Sequence, residues 1–197
     1  KKVFQTFYQQ AFGKLVNQMK NKLTKLEFKW ICYDMGNSAF ILLVATILPI
    51  YFNYLSSSQG VAEHNYLSYW SYAASLSTLI VALAGPILGT LADYKDHKKK
   101  IFLTCAMLGA LALACFWIPT SWFAFLVLFI AAKVAYSLSL IVYDSMLTDI
   151  TTEERMDAVS SKGYAWGYIA SVVPFIISLV FVLMYDKMGM TLKTAMM

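Results

Sequence analysis

Five apolar stretches, at residues 30–54, 67–92, 101–118, 122–143 and 160–185, leave this chain few ways to fold. At about 1.5 Å per residue each is long enough, as a helix, to cross a hydrocarbon layer of about 30 Å. Inside such a layer backbone polar groups must be satisfied within the protein, which restricts spanning elements to helices and closed barrels. The stretches are continuous rather than alternating, so the expectation is an all-α integral membrane protein with five transmembrane helices. Hydrophobic residues make up 59% of the chain and charged residues 14%, unlike the balance of a soluble domain. The charges form no acidic or basic block of the kind that binds nucleic acid, and none is expected as a partner.

Within the spans, Tyr51 and Tyr54, and then Tyr69, Trp70 and Tyr72, stand where aromatic belts form at a membrane interface. Gly85 and Gly89 on the second span, and Gly163, Gly167 and Ser171 on the fifth, recur at intervals of four, a spacing that lets a neighbouring helix approach closely. Pro119, Thr120 and Ser121 make a tight turn between the third and fourth spans. Cys32, Cys105 and Cys115 lie in apolar runs without metal-ligand or disulfide spacing and read as packing residues.

Residues 1–28 form a separate basic arm. Phe4, Phe7, Tyr8, Ala11, Phe12, Leu15, Met19, Leu23 and Leu26 recur at helical steps, with Lys2, Lys14, Lys20 and Lys25 opposite or at the rim and Lys22 interrupting the stripe. Such a helix either lies on an anionic cytosolic membrane surface or packs against the protein's own cytosolic ends. It lacks the apolar core and cleavage site of a signal peptide. Apart from Lys133, Lys187 and Lys193, the basic residues fall in this arm or just after it at Lys29, in the loop at 95–100, or in the loop with Arg155 and Lys162, so the positive-inside rule puts the N-terminus in the cytosol. Five spans would then end the chain outside, with residues 186–197 heading for a sixth span; the transmembrane bundle at 29–197 reads as cut off before it.

Two places inside the apolar spans carry polar side chains that need a reason. Asp34, Asn37 and Ser38 open the first span, and an ionisable group in a membrane helix is a functional candidate. The alternative is that Asp34 and Asn37 satisfy backbone groups near a helix start. Lys133 stands near the middle of the fourth span, about 15 Å from either surface. Tyr136, Ser137, Leu140 and Asp144 follow on its face of the helix. Another helix's acid, a substrate carboxylate or deprotonation could meet the cost of burying its charge.

Three motifs resemble one family. Tyr33, Asp34, Asn37, Ser38, Ala39 and Phe40 are similar to the first-helix signature of the major facilitator branch that contains the vacuolar amino-acid effluxers of autophagy and their bacterial relatives, with Met35 and Gly36 where that signature has Trp and Ala. Gly89, Asp93, Lys95, Lys98, Lys99 and Lys100 resemble the loop between the second and third helices of major facilitators. There Tyr94 replaces a basic residue and Asp96 replaces a Gly. Tyr143, Asp144, Ser145, Met146, Leu147 and Thr148, then Arg155, Gly163, Trp166, Gly167 and Tyr168, resemble the same family across its fourth and fifth helices.

No nucleophile and base pair, metal spacing or phosphate loop points to an enzyme, and no cofactor or metal is expected; the resemblance implies the N-terminal bundle of a secondary transporter in a bacterial cell membrane. Its partners would be a small-molecule substrate, amino acids or related metabolites, the lipid bilayer and the missing C-terminal half. Substrate would bind near the midplane between two halves that rock. Asp34, Asn37, Ser38, Lys133, Tyr136, Ser137 and Asp144 become pathway candidates, and Gly89, Asp93, Lys98 and Lys99 a conformational-switch loop. A carboxylate at the C-terminal end of a helix is opposed by the helix dipole, and the resemblance implies that Asp93 is held by the neighbouring basic residues and a helix N-terminus of the other half. The rival reading is a receptor or assembly partner that keeps the bundle without transporting.

Overall fold

The computed structural model describes residues 22–94, 96–118 and 120–196, and every regular element among them is helical. Five helices carry most of the chain: α1 (Lys25–Ser58), α2 (Glu63–Ala92), α3 (Lys98–Ala114), α4 (Trp122–Ser145) and α5 (Glu153–Met184). Short turns of helix follow α3 at Cys115–Trp117, link α4 to α5 at Leu147–Ile150 and close the described chain at Leu192–Met196. Nearly all of the arm's amphipathic stripe lies outside the described residues, while residues 25–28, expected in that arm, form the first turn of α1.

Four of these helices, α1, α2, α4 and α5, are long and apolar enough to cross a membrane. The third expected span is shorter than anticipated, because α3 ends at Ala114 after 17 residues and the chain tightens into a 3-10 turn. The outward faces match a lipid environment. On α2, Tyr72, Leu76, Leu79, Leu83 and Ile87 follow one another at steps of three and four and are all exposed. The outward side of α5 is likewise lined by Ile169, Val172, Val173, Ile176, Val180 and Leu183. Contiguous apolar faces of this extent would be unstable in water and are the ordinary exterior of an integral membrane protein. Pro49, Pro86 and Pro174 lie inside helices, as membrane helices tolerate.

The described residues divide into two compact units, one made of those up to residue 43 with 147–177 and the other of residues 44–146 with those from 178 on. In the second unit α4 packs on α2 and α3. Its core is aromatic: Tyr51, Phe52 and Leu55 of α1, Phe116, and Phe125, Leu126 and Phe129 of α4, with Ala73 and Ala132 supplying thin points. Trp70 stacks on Phe129 with ring centroids 4.2 Å apart, and Tyr69 on Trp122 at 5.0 Å. Offset and tilted ring pairs at these separations are favourable beyond the area they bury. Tyr51, only 2% exposed, is therefore a core residue rather than part of an interface belt, and Trp70 is half-buried against that core, whereas Tyr54 and Tyr72 do face outward. Periodicity could not separate the two roles, since both put rings near a helix end.

Local chemistry fixes the helix ends that matter. Ser121 caps α4, its hydroxyl accepting from the Ala124 N–H at 3.2 Å. Gln59 joins the α1–α2 loop to the same place, donating to the Thr120 carbonyl and accepting from the Trp122 N–H. Between α2 and α3, Asp96 adopts φ 64°, the left-handed conformation. The tight turn survives without the expected Gly because Asp is among the few residues that tolerate this region.

Candidate functional site

Asp34, Asn37 and Ser38 lie in the first unit, on one side of α1 against a groove in α5. The groove exists because α5 has no side chains there. A Cβ on Gly163 would stand 2.8 Å from Cζ3 of Trp30 and 3.1 Å from Oδ2 of Asp34, and one on Gly167 would stand 2.5 Å from the Ser38 hydroxyl oxygen. The small-residue repeat expected on the fifth span is thus the seat of the polar residues of the first, and Ser171 is buried one turn further along. The Asn37 side chain lies beside the Asp34 carboxylate. Asn37 is 8% exposed, and its Oδ1 accepts no hydrogen bond from the described residues. Asp34 and Asn37 lie well inside α1, which starts nine residues before Asp34 at Lys25, so they are not capping a helix start.

Lys133 lies in the second unit at the centre of α4. Its Nζ donates to the Ala74 carbonyl of α2 at 3.4 Å and sits 5.9 Å from the centre of the Phe129 ring one turn back. The Thr78 hydroxyl donates to the same carbonyl at 3.0 Å. No acidic side chain among the described residues pairs with Lys133, which removes a fixed ion pair within this set as the way its charge is met. Tyr136 stands where α3 crosses α4: a Cβ on Gly109 would come 3.5 Å from its backbone nitrogen. Ser137 is half-buried, and Asp144 is exposed in the last turn of α4. The structure brings Asp34, Asn37 and Ser38 together and holds Lys133 against α2.

The expected switch loop divides similarly. Gly85 lets Ile141 of α4 approach, a Cβ there falling 3.0 Å from Ile141 Cδ1, whereas Gly89 has nothing within 4 Å. Lys98 turns to the C-terminal end of α4, donating to the Ser145 carbonyl at 3.3 Å, a favourable place for a cation on the helix dipole. Asp93 and Lys99 are exposed, and the Asp93 carboxylate takes no partner among the described residues.

Sequence reasoning missed a charged clasp in the first unit. Glu27, 1% exposed, receives Arg155 in a bidentate pair at 3.0 and 2.8 Å, and the Thr151 hydroxyl at 2.7 Å. The Thr24 N–H donates to Glu27 at 2.7 Å, while the Glu27 N–H donates back to the Thr24 hydroxyl at 3.2 Å. That reciprocal pair is a capping box, and its Thr-x-x-Glu spacing was readable at residues 24–27. Arg155, the chain's one arginine, also reaches the Lys22 carbonyl at 3.1 Å. The clasp ties the start of α1 to the start of α5, the same two helices that meet at Gly163 and Gly167.

Residues 24–156 match the family described as vacuole effluxer Atg22 like. The chain belongs to this family. It is also similar to the uncharacterized MFS-type transporter YxiO of Bacillus subtilis (strain 168), with 36% identity over 169 residues. That alignment takes in 84% of this chain and 40% of the relative, so the chain spans about two fifths of the relative's length. No solved structure matches. The matched region contains Asp34, Asn37, Lys133, Asp93 and both charged partners of the clasp.

Proposed function

We propose that this chain is the N-terminal bundle of a secondary active transporter that moves a small solute, amino acids or related metabolites, across a bacterial cell membrane by alternating access. Membership of a family described as vacuole effluxers supports transport, and export of a solute in particular. In this reading α3 and its 3-10 turn cross the bilayer together: about 25 Å of α-helix plus about 6 Å of tighter helix approach the hydrocarbon thickness. The N-terminus is cytosolic, and a second bundle completes the pathway. Asp93 then finds its partner in that bundle, which accounts for a carboxylate left exposed at the unfavourable end of α2.

The observation that carries the reading is Lys133. A lysine at the centre of an apolar helix is held there by one carbonyl and one ring, with no acidic partner among the described residues. A charge so placed favours an anionic group of a solute over lipid or packing. Tyr136, Ser137 and Asp144 are the other pathway candidates on α4. The test is solute binding by the full-length protein with Lys133→Met, which keeps the length of the side chain and removes its charge. Binding should be lost while folding and insertion persist; a well-folded variant that binds solute normally would refute the assignment.

A further inference from the structure

We infer that Thr78 is the positioning residue of Lys133: its hydroxyl occupies the Ala74 carbonyl and leaves the ammonium loosely held, free to move onto an anionic group of a solute. That the ammonium meets a solute rests on the reading of Lys133 above; that Thr78 loosens it does not. Both contacts that hold Lys133 are at the far limit of their kind. Its bond to the Ala74 carbonyl is 3.4 Å long, against about 2.7–3.2 Å for an ordinary N–H···O bond. The centre of the Phe129 ring lies 5.9 Å away, where the attraction of a cation to a ring is nearly spent. That ring cannot follow the lysine, because it is buried and stacked on Trp70 at 4.2 Å. An ammonium has three N–H donors, and among the described residues this one carbonyl is the acceptor it reaches.

The length of that bond follows from what else the carbonyl carries. Ala74 lies inside α2, so its carbonyl accepts the Thr78 N–H one turn on, as interior carbonyls of an α-helix do. The Thr78 hydroxyl donates to the same oxygen at 3.0 Å. A carbonyl oxygen has two lone pairs; the helix takes one and the hydroxyl the other, and the lysine comes third. Such back-bonding recurs on α2, where the Ser77 hydroxyl donates to the Ala73 carbonyl at 2.7 Å and the Thr90 hydroxyl to the Pro86 carbonyl at 2.9 Å, a usual way for a helical hydroxyl to satisfy itself. Thr78 differs in that its carbonyl is the one a cation reaches. It is also exposed, so packing does not require a hydroxyl there. When the ammonium leaves for an anion, the hydroxyl stays on the Ala74 carbonyl, and the departure strands no acceptor.

The experiment is acetylation of the full-length protein in detergent by acetic anhydride at fixed pH, read by mass spectrometry at Lys133 with the exposed Lys99 as internal reference. The nitrogen must let go of the carbonyl before it can attack the reagent, so a tighter bond slows the reaction. Thr78→Val keeps the shape of the side chain and removes its hydroxyl. It should slow acetylation of Lys133 relative to Lys99 about fivefold, the scale of one ordinary hydrogen bond, and Thr78→Ser should restore the wild-type rate. With the common amino acids added in turn, one that protects Lys133 in the wild type should be needed at about fivefold higher concentration in Thr78→Val. An unchanged or faster rate in Thr78→Val, a slow rate that Thr78→Ser does not restore, or a slow rate with unchanged protection would overturn the inference. A Thr78→Val chain that fails to fold would overturn it too, since the hydroxyl would then serve the helix rather than the lysine. Amino acids that protect nothing in the wild type would count against the solute reading of Lys133 only, and the acetylation rates would still decide whether Thr78 loosens it.

Discussion

Arg155→Gln should destabilise the protein much more than Glu27→Gln, although the two residues form one ion pair. The asymmetry comes from burial. Glu27 is 1% exposed and Arg155 29% exposed, so removal of the arginine strands a carboxylate that water cannot reach. Breaking a buried pair from one side costs about 3–5 kcal/mol. The Thr151 hydroxyl and the Thr24 N–H, both at 2.7 Å, remain as donors and should hold the loss near the lower end, about 3 kcal/mol. In Glu27→Gln an acceptor stays in place, and the guanidinium keeps the Lys22 carbonyl and its access to water; about 1–2 kcal/mol is expected, the scale of a hydrogen bond to a charged group. The double variant should recover about 2 kcal/mol relative to the sum of the two, because it no longer buries an unpaired charge. Arg155→Lys should recover only part, since an ammonium cannot make the bidentate contact. Equilibrium unfolding of the full-length protein in mixed micelles measures all four. Equal losses for the two single variants, each below about 1 kcal/mol, would mean that the clasp behaves as an exposed surface pair and that the burial argument is wrong.

The remaining predictions read other contacts. Gly163→Ala and Gly167→Ala should each lower stability by about 1–3 kcal/mol, because the added Cβ overpacks the α1–α5 contact. Gly89→Ala, with nothing within 4 Å, should be neutral or stabilising by up to about 1 kcal/mol; the same unfolding assay separates the three. Asp96→Gly should stabilise by about 1 kcal/mol through relief of the left-handed backbone at φ 64°, seen as a higher melting temperature with unchanged solute binding.

The helices were legible because long apolar runs admit almost no other structure in lipid, and the small-residue repeat at Gly163 and Gly167 announced a close contact before any partner was known. The partner itself was not legible. Nothing in the spacing of α5 says that Asp34 and Ser38, more than a hundred residues earlier, fill the space its glycines leave. The length of α3 was misjudged because an apolar run continues through Cys115–Trp117 while the backbone tightens there. Tyr51 was misplaced because aromatic residues near a helix end serve lipid interfaces and cores alike. Glu27 was overlooked as part of a charged arm, although its spacing from Thr24 was a start signal for α1 and the lone arginine was the natural partner to seek.

Transport by the full-length protein is the claim on which the functional account depends, and flux of labelled solutes across proteoliposomes tests it most directly. With an amino-acid panel inside the vesicles, the account predicts saturable release of at least one member, absent from vesicles holding Lys133→Met at equal density. A folded, inserted protein that moves no member of the panel would contradict the amino-acid assignment, and the same silence toward related carboxylate metabolites would leave the receptor or assembly reading standing in place of transport.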